Sequence, residues 1–447
     1  MRVLCAALGL ALGAGWAAQD NGAVIRVEAR EVLVPVIVTD NKGRHVTGLK
    51  ASDFRVQEDG AEQKIRSFST DTAPDTNALA VLGAGTAPAG EAAPVLPHTF
   101  VICLDTLHSA FANLRGVSEA LTRLFEKEKG SGNALFSIVG IGRQLQVFAN
   151  ASTDPAAVLA KLRGAAFQSR LGGGDAASFT SELNDLKNSM YDVCRRCPAC
   201  GSRASYHACD NQLQALKTRL DGEAERWSGL TAQMLAQFKA VVEELAKLPG
   251  GRTLVLVSDG FSLDPAREFY GVVSAFVPSD PRFKAGGPAD LQPALEAVMR
   301  SAVAGNVRID AVDSRGVAQP SFSASGSMDA SAPSDRSAPS VIGRGPSSNR
   351  GGALYSDMDR QAEAVSFQTG SAMEQAARTT GGVYLHGGND LLREFRSVLA
   401  DGREYYLIGY SPSNAADDGT FRQIAVEVAG KNLVVRAKAG YWAEKKE

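Results

Sequence analysis

Past Trp16 the chain lacks any apolar run near the ~18 residues that a membrane helix needs, so no membrane span is expected. It also lacks an excess of either charge: 47 Lys and Arg oppose 49 Asp and Glu, for a formal net charge of −2. That balance offers little to a phosphate backbone or an anionic lipid surface, and no nucleic-acid partner is expected. Catalytic signatures are missing too. There is no Gly-x-Ser-x-Gly elbow, no His-Glu-x-x-His and no phosphate-binding loop. The expectation is a protein that is not an enzyme. What the chain does have is 447 residues and a hydrophobic content of 44 %, enough for two or three domains with sizeable cores.

The first residues read as a secretory signal, 1–18. Arg2 supplies the positive start, Val3 to Trp16 is apolar and small, and Gly15-Trp-Ala17 offers a cleavage point. Glycines at 9, 13 and 15 would weaken a structural helix there. Cys5 has no lipobox of small residues before it. The protein is expected to be exported, to a periplasm or to the extracellular space. That address bears on Cys194-Arg-Arg-Cys197-Pro-Ala-Cys200 and Cys209. Four thiolates at these spacings suit zinc, but an oxidising compartment favours two disulfides, with three possible connectivities. Cys103, inside an apolar run, reads as a small core residue.

The organisation follows from hydrophobic period. Residues 19–70 read as β, with Glu31 to Thr39 strand-like, Pro35 demoting that strand toward an edge, and Asp59-Gly60 between two further strands. Residues 71–97 are an Ala, Gly, Pro and Thr-rich linker. From 98 to 402, strands alternate with helices, which predicts a mostly parallel sheet with helices on both faces. The strands are 98–105, 134–141, 253–259, 307–312 and 383–385, with an antiparallel edge strand at 144–149. A helical, cysteine-bearing insertion occupies about 170–228. Glu223 and Gln237 read as breaks in its long helical stripe, and the stretch between strand 253–259 and the helix that starts at Leu291, with Phe276, Pro278, Pro281 and Gly286-Gly-Pro288, reads as a loop. A low-complexity loop fills 317–352. Residues 403–447 return to β. Neither terminal set of strands is large enough alone, so both should pack into one flanking β-sandwich.

Two of the central strands end on carboxylates: His98 to Asp105, and Thr253 to Asp259. In an open α/β sheet the carboxyl ends of central strands form the ligand crevice. Asp105, Ser109 and Asp259 together would suit a hard divalent cation. A lone loop histidine is usually solvated, so His108 is left out of that site.

The segment 98–402 resembles the von Willebrand factor A domain. The resemblance rests on Leu104-Asp105 with Ser109, on Leu254-Val-Leu-Val-Ser-Asp259-Gly260, on Val307 to Val312, and on Met373 to Leu385 followed by Asp390-Leu-Leu-Arg-Glu-Phe395. The flanks, Asp53-Phe-Arg-Val-Gln-Glu-Asp-Gly60, Tyr405-Tyr-Leu-Ile-Gly-Tyr-Ser-Pro412 and Gly440-Tyr441, look like the von Willebrand factor A-related proteins of Acidobacteria. The resemblance implies a doubly wound α/β fold and a metal-ion-dependent adhesion site holding Mg²⁺ or Mn²⁺. Asp105, Ser109 and Asp259 match its ligands, but Leu107 stands where the family's Asp-x-Ser-x-Ser motif has its first serine. The family's threonine should follow Gly174, where Asp175, Ser178 and Thr180 are candidates. The resemblance thus implies an adhesion-type module with a partial, weak metal site, binding a protein or glycan, whose cation affinity Leu107→Ser should raise. The alternatives are a metal-free scaffold or assembly module with a vestigial site, and an enzyme using the cysteine cluster.

Overall fold

The computed structural model describes residues 31–70, 97–127, 134–171, 175–196, 209–277, 280–283, 290–316 and 370–444. The expected signal peptide, nearly all of the linker and the low-complexity loop lie outside these residues. Three sheets organise the chain. Strands β1 (Val32–Asp40), β2 (Phe54–Glu58), β3 (Ala61–Gln63) and β4 (Ile65–Thr70) come first. The central sheet follows: β5 (His98–Asp105), β6 (Ala134–Ile141), β7 (Gln146–Ser152), β8 (Arg252–Ser258), β9 (Arg308–Asp313) and β10 (Tyr384–Leu385). The last strands are β11 (Tyr406–Tyr410), β12 (Phe421–Val428), β13 (Leu433–Ala437) and β14 (Gly440–Trp442).

The central sheet runs β10-β9-β8-β5-β6-β7, parallel except for β7, which lies antiparallel on the edge. All eight residues of β5 are buried, as expected for a strand covered on both faces. Its side chains alternate between two cores. Phe100, Ile102 and Leu104 join Val255 and Val257 under α1 (Phe111–Lys127), α2 (Pro155–Arg163) and the final helix. Val101 and Cys103 join Leu254 and Leu256 on the other face. There they meet α5 (Asp210–Ala246), α7 (Gln292–Ala304) and α8, the helix at 370–380. Each large aliphatic or aromatic side chain buried this way contributes about 1.5–3 kcal/mol relative to exposure. The helices left to name are α3 (Ala165–Arg170), α4 (Asp175–Arg196), α6 (Pro265–Ser274) and α9 (Leu391–Arg403).

Helix α5 is unbroken over 37 residues, about 55 Å at the standard rise. The polar positions that read as breaks have partners instead. Glu223 accepts from Arg226, and the Gln237 amide clasps the β6–β7 turn, donating to the Gly142 carbonyl at 2.9 Å and accepting its N–H at 3.0 Å. The stretch after β8 is likewise not all loop. Asp264 caps α6 by accepting the Arg267 N–H at 3.1 Å, with Pro265 in the first turn, and Phe269, Tyr270 and Val273 are buried. No helix among the described residues is long and apolar enough to cross a membrane.

The terminal strands form two antiparallel sheets, β13-β1-β11-β4 and β14-β12-β2-β3, each mixing both ends of the chain. One core joins them, built from Val34, Val36, Phe54, Val56, Tyr406, Ile408 and Ile424. Glu58 is buried between the sheets and accepts the Tyr410 hydroxyl at 2.6 Å and the Tyr441 hydroxyl at 3.1 Å. The three flanking motifs therefore meet in one hydrogen-bonded knot. Strand β1 is not an edge strand, since β11 and β13 pair on its two sides. Proline is tolerated because β13 covers only Val36–Asp40, so Pro35 sits just beyond its reach.

A charged clamp joins the sandwich to the central domain. Asp401 of α9 receives Arg436 of β13 through both oxygens, at 2.6 and 2.8 Å, and lies 2.8 Å from His45 Nε2. Arg308 donates to the Asp401 carbonyl at 2.8 Å and pairs with Asp310.

Candidate functional site

Strand order reverses between β5 and β8: the chain adds β6 and β7 on one side, then β8, β9 and β10 on the other. The crevice of such a sheet opens where the order reverses, at the carboxyl ends. Asp105 and Asp259 stand at that point, and the loop 106–110 turns over it into α1.

Asp105 is completely buried. Its Oδ1 accepts the N–H groups of Leu107 and His108, each at 3.0 Å, which closes the loop as an Asx turn. Its Oδ2 accepts the Ser258 hydroxyl at 2.7 Å and lies 3.0 Å from His108 Nδ1. Burial pushes this carboxyl up, but attraction to His108 and the hydrogen bonds from His108 and Ser258 win, leaving it below the usual carboxylate value. The far side of the His108 ring reaches α5, with Nε2 at 3.1 Å from Thr231 Oγ1, and Phe261 packs 5.6 Å from the ring centre.

Asp259 is held as fully. Its Oδ2 accepts the Ala110 N–H and the Asn113 amide, each at 2.8 Å, and its Oδ1 accepts the Ser314 hydroxyl. Ser109 Oγ accepts the Asp259 N–H at 3.1 Å. Burial raises the Asp259 carboxyl, and these donors together with Arg315 recover only part of the shift. Gly260 follows at φ +90°, a conformation a side chain would strain. Glu268 of α6 completes the surroundings. Burial pushes it up to about 7, opposed by a Ser262 hydrogen bond and by His108, while Asp264 adds to the rise.

The three residues expected from sequence are therefore brought together, but not as an open cage. A hard divalent cation needs free oxygen lone pairs, and Mg²⁺ retains waters. Asp105 and Ser109 are wholly buried, every carboxylate oxygen of Asp105 and Asp259 already has a donor, and Leu107 packs into the core. No side-chain oxygen of Asp105, Ser109 or Asp259 is left unpartnered. As arranged, the residues do not fit a resident cation. Among the described residues no cluster of three His, Cys, Asp or Glu side chains is placed to hold one.

Two of the residues proposed for the family's threonine position are held by other partners. Asp175 pairs with Arg143 at 2.7 Å, and Thr180 bonds the Ala176 carbonyl within α4, which also carries Ser178. The hydroxyl that enters the site is Thr231, from mid-α5, and the histidine set aside as solvated is at the centre. Asn113, Ser258 and Ser314 were also missed. Of these only Ser258, next to Asp259, carried a local signal.

Asp105, His108 and Thr231 have the connectivity of a nucleophile relay. Thr231 is 1 % exposed in the middle of a helix, so its hydroxyl is closed to a substrate. At the cysteine cluster, Cys194 and Cys209 are disulfide-bonded. Cys197 and Cys200 lie outside the described residues, and the pairing with them.

No family model matches the chain, and neither does any curated protein. Among solved structures, an aerotolerance-related membrane protein from Bacteroides fragilis is 11 % identical with a TM-score of 0.29, over 68 % of this chain and 98 % of that one. The conserved hypothetical protein BatB from Bacteroides thetaiotaomicron is 12 % identical with a TM-score of 0.28, at the same coverages. The human COPII-coat protein Sec24c is 9 % identical with a TM-score of 0.29, over 77 % of this chain and 44 % of that one. At these values the likeness carries no argument about fold or function.

Proposed function

We propose that this chain is an exported, doubly wound module of the von Willebrand factor A type that works as a metal-free scaffold, holding a protein partner at the carboxyl edge of its central sheet. The observation that carries the reading is the closed hydrogen-bond network at the switch point, where Asp105 and Asp259 are spent on their own loops. Such a network makes a rigid platform in which both oxygens of each carboxylate already accept protein hydrogen bonds. The rim of that edge favours a protein over a glycan. Phe111, which opens α1, and Leu145, in the β6–β7 turn, are 46 % and 45 % exposed. Exposed apolar side chains beside a polar rim are the usual anchors of protein contacts.

The test is crosslinking of the purified protein to cell-envelope proteins of its source, with Mg²⁺ or with EDTA. Capture should be the same in both and should fall in a Phe111→Asp, Leu145→Asp double variant. Capture that requires the cation would contradict the scaffold reading and favour metal-dependent adhesion.

A further inference from the structure

We infer that the His108 imidazole occupies the place a cation would need at this edge, so that an internal side chain does the bridging done elsewhere by a metal. The inference deepens the scaffold reading and rests on it. His108 Nδ1 lies 3.0 and 3.3 Å from the two oxygens of Asp105. On the opposite side of the ring, Nε2 lies 3.1 Å from Thr231 Oγ1. One ring thus ties the end of β5 to α5. The carboxylate only accepts, so Nδ1–H donates to it, and Nε2 completes the link to the hydroxyl. The backbone N–H of His108 is anchored on the same carboxylate, and Phe261 packs beside the ring, so the side chain is held from three directions.

A divalent cation would bind these oxygens at about 2.0–2.6 Å. The ring lies against both oxygens of Asp105, so a cation cannot reach that carboxylate from the Thr231 side while the ring stays in place. Restoring an oxygen at position 107 therefore does not open the site. The side chain there is wholly buried among apolar neighbours, and the imidazole would still cover Asp105. This reverses the expectation drawn from the motif, in which the missing serine alone limits the cation. The block is the histidine, and the leucine is secondary to it.

The experiment is calorimetric titration of Mg²⁺ and of Mn²⁺, with no partner present, into the full chain and three variants: Leu107→Ser, His108→Gly and the double substitution. Wild type and Leu107→Ser should show no binding. His108→Gly should bind weakly, and the double variant with about the same affinity, because position 107 faces the apolar core. The inference is overturned if wild type binds one cation per chain, if Leu107→Ser binds as tightly as the double variant, or if a cooperatively melting double variant binds nothing. Should the glycine variants fail to fold, the ring nitrogen resonances of His108 in wild type decide. Resonances unbroadened by Mn²⁺ support the inference, and selective broadening overturns it. Because no partner is used, failure here leaves the scaffold reading to be judged by its own crosslinking test.

Discussion

Asp105→Ala is expected to lower unfolding free energy by roughly 3–5 kcal/mol, the range for removing one member of a buried, hydrogen-bonded charged network. The loss arises from what remains. The N–H groups of Leu107 and His108, the Ser258 hydroxyl and the His108 ring would all be buried or half-buried without their acceptor. Urea unfolding monitored in EDTA and again in Mg²⁺ would measure it, and the loss should be the same in both. A carboxylate kept mainly as a metal ligand behaves otherwise. Its removal would cost little stability in EDTA, and that result would contradict the role assigned to Asp105 here.

Asp401→Ala should be comparably damaging, by about 3–5 kcal/mol, because Arg436 would lose both acceptors at the seam between sandwich and central domain. This loss carries a pH signature. Burial raises the Asp401 carboxyl, but the hydrogen bonds from His45 and Arg436 and the charges of Arg436 and Arg308 outweigh it and hold it at about 2. A carboxyl depressed in the folded state contributes its stability above the unfolded value, near 3.9, and loses it as pH falls toward the folded value. The gap between wild type and Asp401→Ala should therefore be full at neutral pH and shrink between about pH 4 and pH 2. Unfolding curves across that range would show it, and a gap independent of pH would remove Asp401 from the clamp.

Much of this architecture was legible because hydrophobic period is a local property. The fully apolar run of β5 announced a strand covered on both faces, and the terminal strands announced each other by being too few to stand alone. The pair Asp105 and Asp259 was legible for the same reason, as carboxylates closing apolar runs. What failed to show were contacts across the chain. Thr231 lies 123 residues from His108, in a helix whose stripe reads as ordinary core. Nothing local marks a threonine that turns toward a strand end. A histidine in a loop is usually solvated, and only the fold places a polar partner on each side of His108. Gln237 read as a break because its partner, the Gly142 backbone, is remote in sequence. Helix α6 was a different kind of omission. Its Asp264-Pro265 start is a local signal, outweighed by the glycines and prolines that follow. Pro35 followed a sound rule about ladder hydrogen bonds, and the ragged end of β13 allows the exception.

The central claim, that an imidazole and a closed hydrogen-bond network stand where a cation would bind, is tested most directly by an anomalous difference map from wild-type crystals soaked in Mn²⁺. The account predicts no peak within coordinating distance of Asp105, Ser109 or Asp259, with the His108 ring still lying between Asp105 and Thr231. A peak there, with the ring swung away, would contradict it.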